Sequence, residues 1–383
     1  MFELTKPQKE IQKAAKDFAK GEFDKELAYE LEKNNEFPTS IWKKAAELGF
    51  IGIHFPEKYS GGEMGLFENS LIIEELCRND PSIGVAVAQA SFASECIEKF
   101  GSEELKASYL PRIAEGEILS GGAFSETQRG GDYKNIQTTA EKKGGQWVLN
   151  GRKTHVINGS QAEVYVVLCK TDQTSASIEN NLSMILVDAD STGLSAEPYG
   201  KKLGENMVKT AVLTLDNVSV PENKLVGKEG KGYSQMLAFL DDSRIIAASM
   251  ALGNALASFD RMLDYIKGRE QFGKKLASFQ VTQHKVADMA TKIELSRLII
   301  HKAAWLRDKK KSDSSLCSMA KMTAARTAME VGAQTIQLYG GYGYMTEYEV
   351  ERFYRDAKII ELRDGARDVQ KDIVASAVIG KIK

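Results

Sequence analysis

The chain has 383 residues, 43% of them hydrophobic, which suffices for two or three domain-sized units with room inside for a cofactor. A formal net charge of -2 with 27% charged residues argues against nucleic-acid binding and against attraction to an anionic membrane surface, while leaving room for a local basic groove. The four cysteines (Cys77, Cys96, Cys169 and Cys317) form no C-x-x-C pair and read as buried free thiols, so neither a metal nor a disulfide framework is expected.

The N-terminal MFELTKPQKEIQKAAKDF is polar and lacks an apolar signal core. No later run reaches about 18 apolar residues, and the chain reads as a soluble cytoplasmic protein. Residues 1–118 are predicted to be helical. Thr5 can cap a first helix, Pro7 suits its first turn, and Ile11, Ala15 and Phe18 follow at helical spacing. Further helices are expected near 40–48, 68–76 and 84–100, with FPEKYSGGEMG as a loop. Residues 119–231 change character, to glycine, threonine and short apolar runs. Asn150-Gly151 within WVLNGRKTHVING is a hairpin signal. EVYVVLCK, LSMILVDAD and TAVLTLDNVSV read as strands, the last with Ala211, Leu213 and Leu215 on one face. Strands at regular spacing without intervening helices suggest an antiparallel barrel or sandwich. Residues 232–383 return to helix, with segments long enough for a bundle. The fold class is mainly α with a central β domain.

That order names no chemistry. GGYGY at 340–344 is neither a dinucleotide-binding fingerprint after a strand nor a P-loop, and no Ser-His-Asp or zinc spacing stands out. His54, His155, His284 and His301 are scattered, and each reads as a satisfied structural residue.

Six separated motifs do carry a resemblance. They are AFSET (123–127), NGRKTHVING (150–159), VPENKLVGKEGKGY (220–233), GREQFGKKLASFQ (268–280), QLYGGYGYMTEYEVERFYRDAKI (337–359) and DGARDVQ (364–370). In this order the chain resembles the acyl-CoA dehydrogenase family over essentially its whole length. The resemblance implies an N-terminal helical domain, a central β-barrel or sandwich and a C-terminal four-helix bundle, usually in a homotetramer. It also implies FAD as cofactor, an acyl-CoA substrate and electron-transfer flavoprotein as electron acceptor. Such chemistry needs a positioned carboxylate to take the α-proton and a hydride acceptor on the opposite face.

Carried over residue by residue, the resemblance places Asp364 where the family has its glutamate base, counting without gaps from Asp356-Ala357-Lys358-Ile359. Gly365 supports that register. Glu361, three residues earlier, ranks below it, and the plain alternative is that Asp364 merely caps the helix carrying Val369, Ile373 and Ala377. Aspartate reaches about 1.5 Å less far than glutamate. Some members carry the base on an earlier helix in L-D-x-E-R, but here Ser243 holds that place. Arg244 is implied as a CoA contact with Asp241 and Ser243 nearby, against the alternative of a solvated helix arginine. Phe124 and Ser125 are implied beside the flavin ring, and Gln337, Gly340 and Gly341 at the nucleotide end of FAD. Arg269 and Phe272 are implied to reach a neighbouring subunit's cofactor. Three further positions depart from the family pattern. Gly131 replaces a serine that often meets the substrate, His155 an aromatic packed on the flavin, and Ile157 a hydroxyl near flavin N5. Gly84, Ala88 and Ser91 lie on a helix expected to close the acyl pocket, with Gly84 and Ala88 leaving room on one face. A short base opposite small residues suits a branched or alicyclic acyl group, such as cyclohexanecarboxyl-CoA. A nitroalkane-oxidase-like flavin oxidase and a non-catalytic acyl-CoA-binding subunit are the competing readings.

Overall fold

The computed structural model describes residues 3–128, 130–172, 180–311 and 313–380, and its first helix starts where the capping residues place it. Helix α1 (Lys6–Glu22) opens on a reciprocal cap: Gln8 N–H donates to Thr5 Oγ1, and Thr5 N–H donates to Gln8 Oε1 at 2.9 Å. Its face carrying Ala15 and Phe18 is buried. Helices α2 (Lys25–Asn34), α3 (Thr39–Glu47), α4 (Leu66–Asn79), α5 (Pro81–Ala88), α6 (Ser94–Phe100) and α7 (Glu103–Ala114) complete the N-terminal region. Helices α2 and α7 are not among the elements expected from apolar periodicity. Both start at side-chain caps, Asp24 and Ser102, and α2 buries only Ala28. In α2 the cap, rather than a broad buried face, carries the start signal.

The helix expected over 84–100 is two helices. The chain leaves α5 at Ala88, Ser91 makes a single bridge to Ser120, and Ala93 takes a left-handed φ of 70° before α6. The break is held from a distance. Buried Asn158 donates through Nδ2 to the Gln89 carbonyl at 2.7 Å and the Ser120 carbonyl at 2.9 Å. Gly84 also departs from expectation, since its open side faces α4 rather than a pocket. A Cβ there would stand 2.6 Å from the Cys77 amide nitrogen.

Eight strands form the central sheet: β1 (Ser120–Ala123), β2 (Thr139–Lys143), β3 (Gln146–Ile157), β4 (Val164–Lys170), β5 (Leu182–Asp188), β6 (Leu194–Pro198), β7 (Thr210–Pro221) and β8 (Leu225–Val226). Their order is β6-β7-β3-β2-β4-β5-β8, with β1 alongside β4. Ala211, Leu213 and Leu215 are buried, as the alternation of β7 predicts. Two expectations fail here. Asn150-Gly151 is not a turn: β3 runs through it, paired to β7, with a register slip between Leu149 and Gly151. The hairpin turn is Gly144-Gly145, both at positive φ, where no side chain resists that conformation. Nor is the sheet wholly antiparallel, because β1 enters from the helical region and pairs parallel to β4.

Helix α8 (Gly232–Gly268) then crosses the molecule, packing on both α4 and the C-terminal helices α9 (Gln280–Asp308), α10 (Ser314–Tyr339) and α11 (Val350–Ile360). The two-residue strands β9 (Glu270–Gln271) and β10 (Lys274–Lys275) form a hairpin after α8. Helix α12 (Arg367–Ile379) lies on α10. All four cysteines are buried and free. Among the described residues no helix is long and apolar enough to cross a membrane. The Gly84 contact gives a direct test of the packing: Gly84→Ala should force α4 and α5 apart and lower stability by about 1–3 kcal/mol in urea denaturation.

Candidate active site

Between α11 and α12 the chain makes a tight turn that places one carboxylate. Asp364 takes φ 54° and Gly365 φ 92°. Gln370 Nε2 donates to both of their carbonyls, at 2.9 and 2.8 Å, and Lys321 Nζ donates to the Gly365 carbonyl at 2.8 Å. Lys321 is 1% exposed on α10, and burial pushes its amine down to about 8. The N-cap of α12 is Ala366, with no side-chain capping bond, so Asp364 does not serve as a helix cap. Its side chain, 9% exposed, instead lines a small cavity with Ala88, Phe92, Phe239, Ser243 and Ile246. Glu361 is bonded to Lys358 at 2.6 Å and has no part in that cavity.

A second carboxyl group that sequence reasoning missed stands on the same cavity. Glu95 on α6 is buried, and its Oε2 has no hydrogen-bond partner among the described residues. Burial pushes its pKa up to about 7, against the pull of Lys99 and with a small contribution from Asp364. Nothing in the local pattern SFASECIEKF sets this glutamate apart from a solvated one.

Beyond Phe92 the cavity meets the exit of β1. Phe92, Phe124 and Phe239 form a cluster with ring centroids 5.4 to 6.4 Å apart. The segment after β1 is pinned to β3. Fully buried Lys153 donates to the Phe124 carbonyl at 3.2 Å and to Glu126 Oε1 at 3.0 Å, while Thr154 N–H donates to the Ser125 carbonyl at 2.9 Å. Glu126 also accepts from Gln137 N–H and Thr138 N–H. The Ser125 side chain is hydrogen-bonded to Tyr133, whose phenol is pushed up to about 12 by burial and by the nearby Asp364. Gly131 lies two residues before Tyr133 in an exposed turn, with open space where a side chain would stand. His155 sits in the second register slip of β3 at φ 52°, exposed and tilted against Tyr199 at 4.4 Å. Ile157 is half-buried at the end of β3.

The residues expected at the acyl and CoA end divide. Ala88 and Ser243 line the Asp364 cavity, Ser91 lines an adjoining one with Ala88, and Gly84 lines neither. Arg244 is 3% exposed, which overturns the solvated-arginine alternative. One of its guanidinium nitrogens donates to Asp241 Oδ1 at 2.8 Å, and Ser314 donates to Asp241 Oδ2 at 2.7 Å. Asp241 is thus taken up in holding Arg244, whose buried Nε has no partner among the described residues. An arginine so oriented, with one donor unspent, fits an anionic or carbonyl oxygen.

A separate groove of about 490 Å³ gathers Arg269, Gln337, Gly340, Gly341 and Tyr342 at the ends of α8 and α10. The Arg269 guanidinium lies 5.4 Å over the Tyr342 ring. Neither glycine would meet another atom within 4 Å if given a side chain, so their backbone is open to a ligand. Open glycine backbone beside a fixed arginine fits a phosphate-bearing cofactor. Phe272, at the tip of the β9–β10 hairpin, is 93% exposed with φ 50°.

Glu95 supplies a pH test of this environment. A carboxyl whose folded pKa is raised costs stability above that pKa, and the cost fades as pH falls toward the unfolded value. Glu95→Gln should therefore be more stable than the parent at pH 8, by on the order of 3 kcal/mol. That advantage should shrink below pH 7 and vanish near pH 4.5 in paired urea titrations.

Comparison with known proteins completes the picture. The acyl-CoA dehydrogenase N-terminal, middle and C-terminal domain profiles match residues 5–117, 121–218 and 230–379. The probable acyl-CoA dehydrogenase YngJ of Bacillus subtilis is 37% identical over 379 residues, covering 99% of each chain. The cyclohexane-1-carbonyl-CoA dehydrogenase of Geobacter metallireducens is 36% identical over 351 residues, 91% of this chain and 90% of its own. The structure of butyryl-CoA dehydrogenase from Megasphaera elsdenii superposes with a TM-score of 0.93 at 32% identity, covering 99% of this chain and 100% of that one. The chain belongs to the acyl-CoA dehydrogenase family, whose members use FAD to dehydrogenate acyl-CoA thioesters.

Proposed function

We propose that Asp364 is the base that removes the α-proton of the bound thioester. The observation that carries this reading is the cavity itself. It presents the Asp364 carboxylate beside Ser243 and small Ala88, while Gln370 and Lys321 fix the backbone behind it. FAD, when bound, supplies the two-electron acceptor for the β-hydride. The chain's own residues do the remaining work. Phe92, Phe124 and Phe239 keep water from the carboxylate, which strengthens every charge interaction within the slot. Arg244 directs its unspent donor to the CoA portion, with Asp241 and Ser243 beside it. Phe124, Ser125, His155 and Ile157 border the flavin ring, Gln337, Gly340 and Gly341 hold the nucleotide end, and Arg269 with exposed Phe272 reaches the cofactor of a neighbouring subunit in a homotetramer. Gly365 provides the turn, and Gly131 leaves space at the mouth of the slot. Electron-transfer flavoprotein takes the electrons onward. The free thiols suit a reducing cytoplasm. A short base and a small residue at Ala88 favour an acyl group that is broad near the thioester, branched or alicyclic.

Two substitutions test the assignment. Asp364→Asn should retain FAD and bind acyl-CoA, yet lose anaerobic flavin bleaching by 10²-fold or more, about the contribution of a positioned base. Lys321→Met should keep its flavin and lower kcat by about 10-fold to 10²-fold, because a carboxylate displaced by about an ångström is a poor base. Stopped-flow reduction of both holoproteins reads these effects.

A further inference from the structure

The Asp364 cavity does not end in hydrocarbon. A second cavity of about 20 Å³ adjoins it, and the two share Ala88, Glu95 and Ile246 as walls. The second is lined by His54, Asn69 and Ser91 among apolar neighbours such as Ile72. Three atoms at this end have no hydrogen-bond partner among the described residues: Glu95 Oε2 and both ring nitrogens of His54. Glu95 is 7% exposed, and the His54 nitrogens are fully covered. Buried polar atoms are nearly always paired, so several orphans around one cavity mark a place where something else completes the bonding.

We infer that this chamber receives a hydroxyl group carried at the distal end of the acyl chain or ring, making the substrate a hydroxyacyl-CoA thioester. The inference rests on the reading of Asp364 as the base at the near end of the slot. A hydroxyl is at once donor and acceptor. Its O–H suits Glu95 Oε2, and its lone pairs suit the N–H of a neutral imidazole. His54 is kept neutral near pH 7 by burial first and by Lys99 second, which together hold its pKa down to about 4. The same Lys99 charge works against an ammonium group in this place. A plain alkyl end would leave all three atoms unpaired. A chamber of about 20 Å³ has room for one water-sized polar group.

The test compares matched thioesters on the FAD-loaded enzyme. The pairs are cyclohexanecarboxyl-CoA with its counterpart hydroxylated opposite the carboxyl carbon, and valeryl-CoA with its ω-hydroxy counterpart. At least one hydroxylated member should exceed its parent by about 10-fold or more in kcat/KM, because a site built to bond a hydroxyl rejects the analogue lacking it. In Glu95→Ala and His54→Phe holoproteins, checked for flavin content, that ratio should collapse toward one. Parents that equal or outrun their hydroxylated partners in both pairs would show that the chamber holds only a water, and would overturn the proposal. So would a preference untouched by either substitution. Ligand-induced flavin spectral shifts in Asp364→Asn give the same ratio as Kd values, without turnover. A hydroxyl preference there, together with flavin bleaching that survives Asp364→Asn, would support the chamber and remove the base. Loss of bleaching without any preference would do the reverse.

Discussion

A buried ionic chain connects the three regions of the fold and ends at the turn that carries Asp364. Arg352 on α11 donates to both oxygens of Asp80, at 3.0 and 2.7 Å, and to Ser82 Oγ at 2.5 Å. Ser82 donates in turn to Asp356, which also accepts from Glu205 N–H at 2.6 Å. Glu205 then accepts from Arg363 at 3.0 Å, one residue before Asp364. Burial works against the Asp80 carboxylate, but Arg352 outweighs it and holds its pKa below the usual range. Farther along, burial prevails and pushes Asp356 up to about 6. Asp80 also caps α5 through the amides of Ser82 and Ile83, so one carboxylate sets both the helix that walls the slot and the anchor of the turn. Removing either partner from such a pair strands a buried charge, at a cost of about 3–5 kcal/mol.

Local pattern was enough for the elements whose information is local. Thr5 as a cap with Pro7 in the first turn announced α1, and the alternation of β7 announced its buried face. The position of Asp364 came from the family resemblance, counted along its motif, and the residue does line the small cavity. What stayed hidden depends on partners far along the chain. Residues 84–100 look like continuous helix until Asn158 takes up the carbonyl of Gln89. Asn150-Gly151 looks like a turn until β7 pairs across it. Gly84 looks like free space until the backbone of α4 fills it. His54 looks like an ordinary satisfied histidine, and only the packed structure shows both its nitrogens without partners among the described residues.

The slot is assembled at a cost in polar desolvation. Lys153 and Glu126 pair inside the sheet, Lys321 is enclosed behind the turn, and Glu95 is enclosed in front of it. The first two have hydrogen-bonding partners that recover part of the penalty, and both hold backbone, at Phe124 and at Gly365. Glu95 Oε2 has no such partner among the described residues.

The turn that carries Asp364 is tied down by a helix with little grip of its own. Helix α12 buries Gln370 alone, while Val369, Val378 and Ile379 are 45%, 75% and 64% exposed in the protomer. Gln370 supplies two of the three bonds that hold the Asp364–Gly365 backbone. Peeling of this terminal segment would therefore silence the protomer while its bundle and sheet still stand. Heat inactivation of the isolated protomer should run ahead of its melting, with amide protection lost first near the C-terminus. Whatever covers the outer side of α12 in an assembly would lengthen the working life of the enzyme without touching its chemistry.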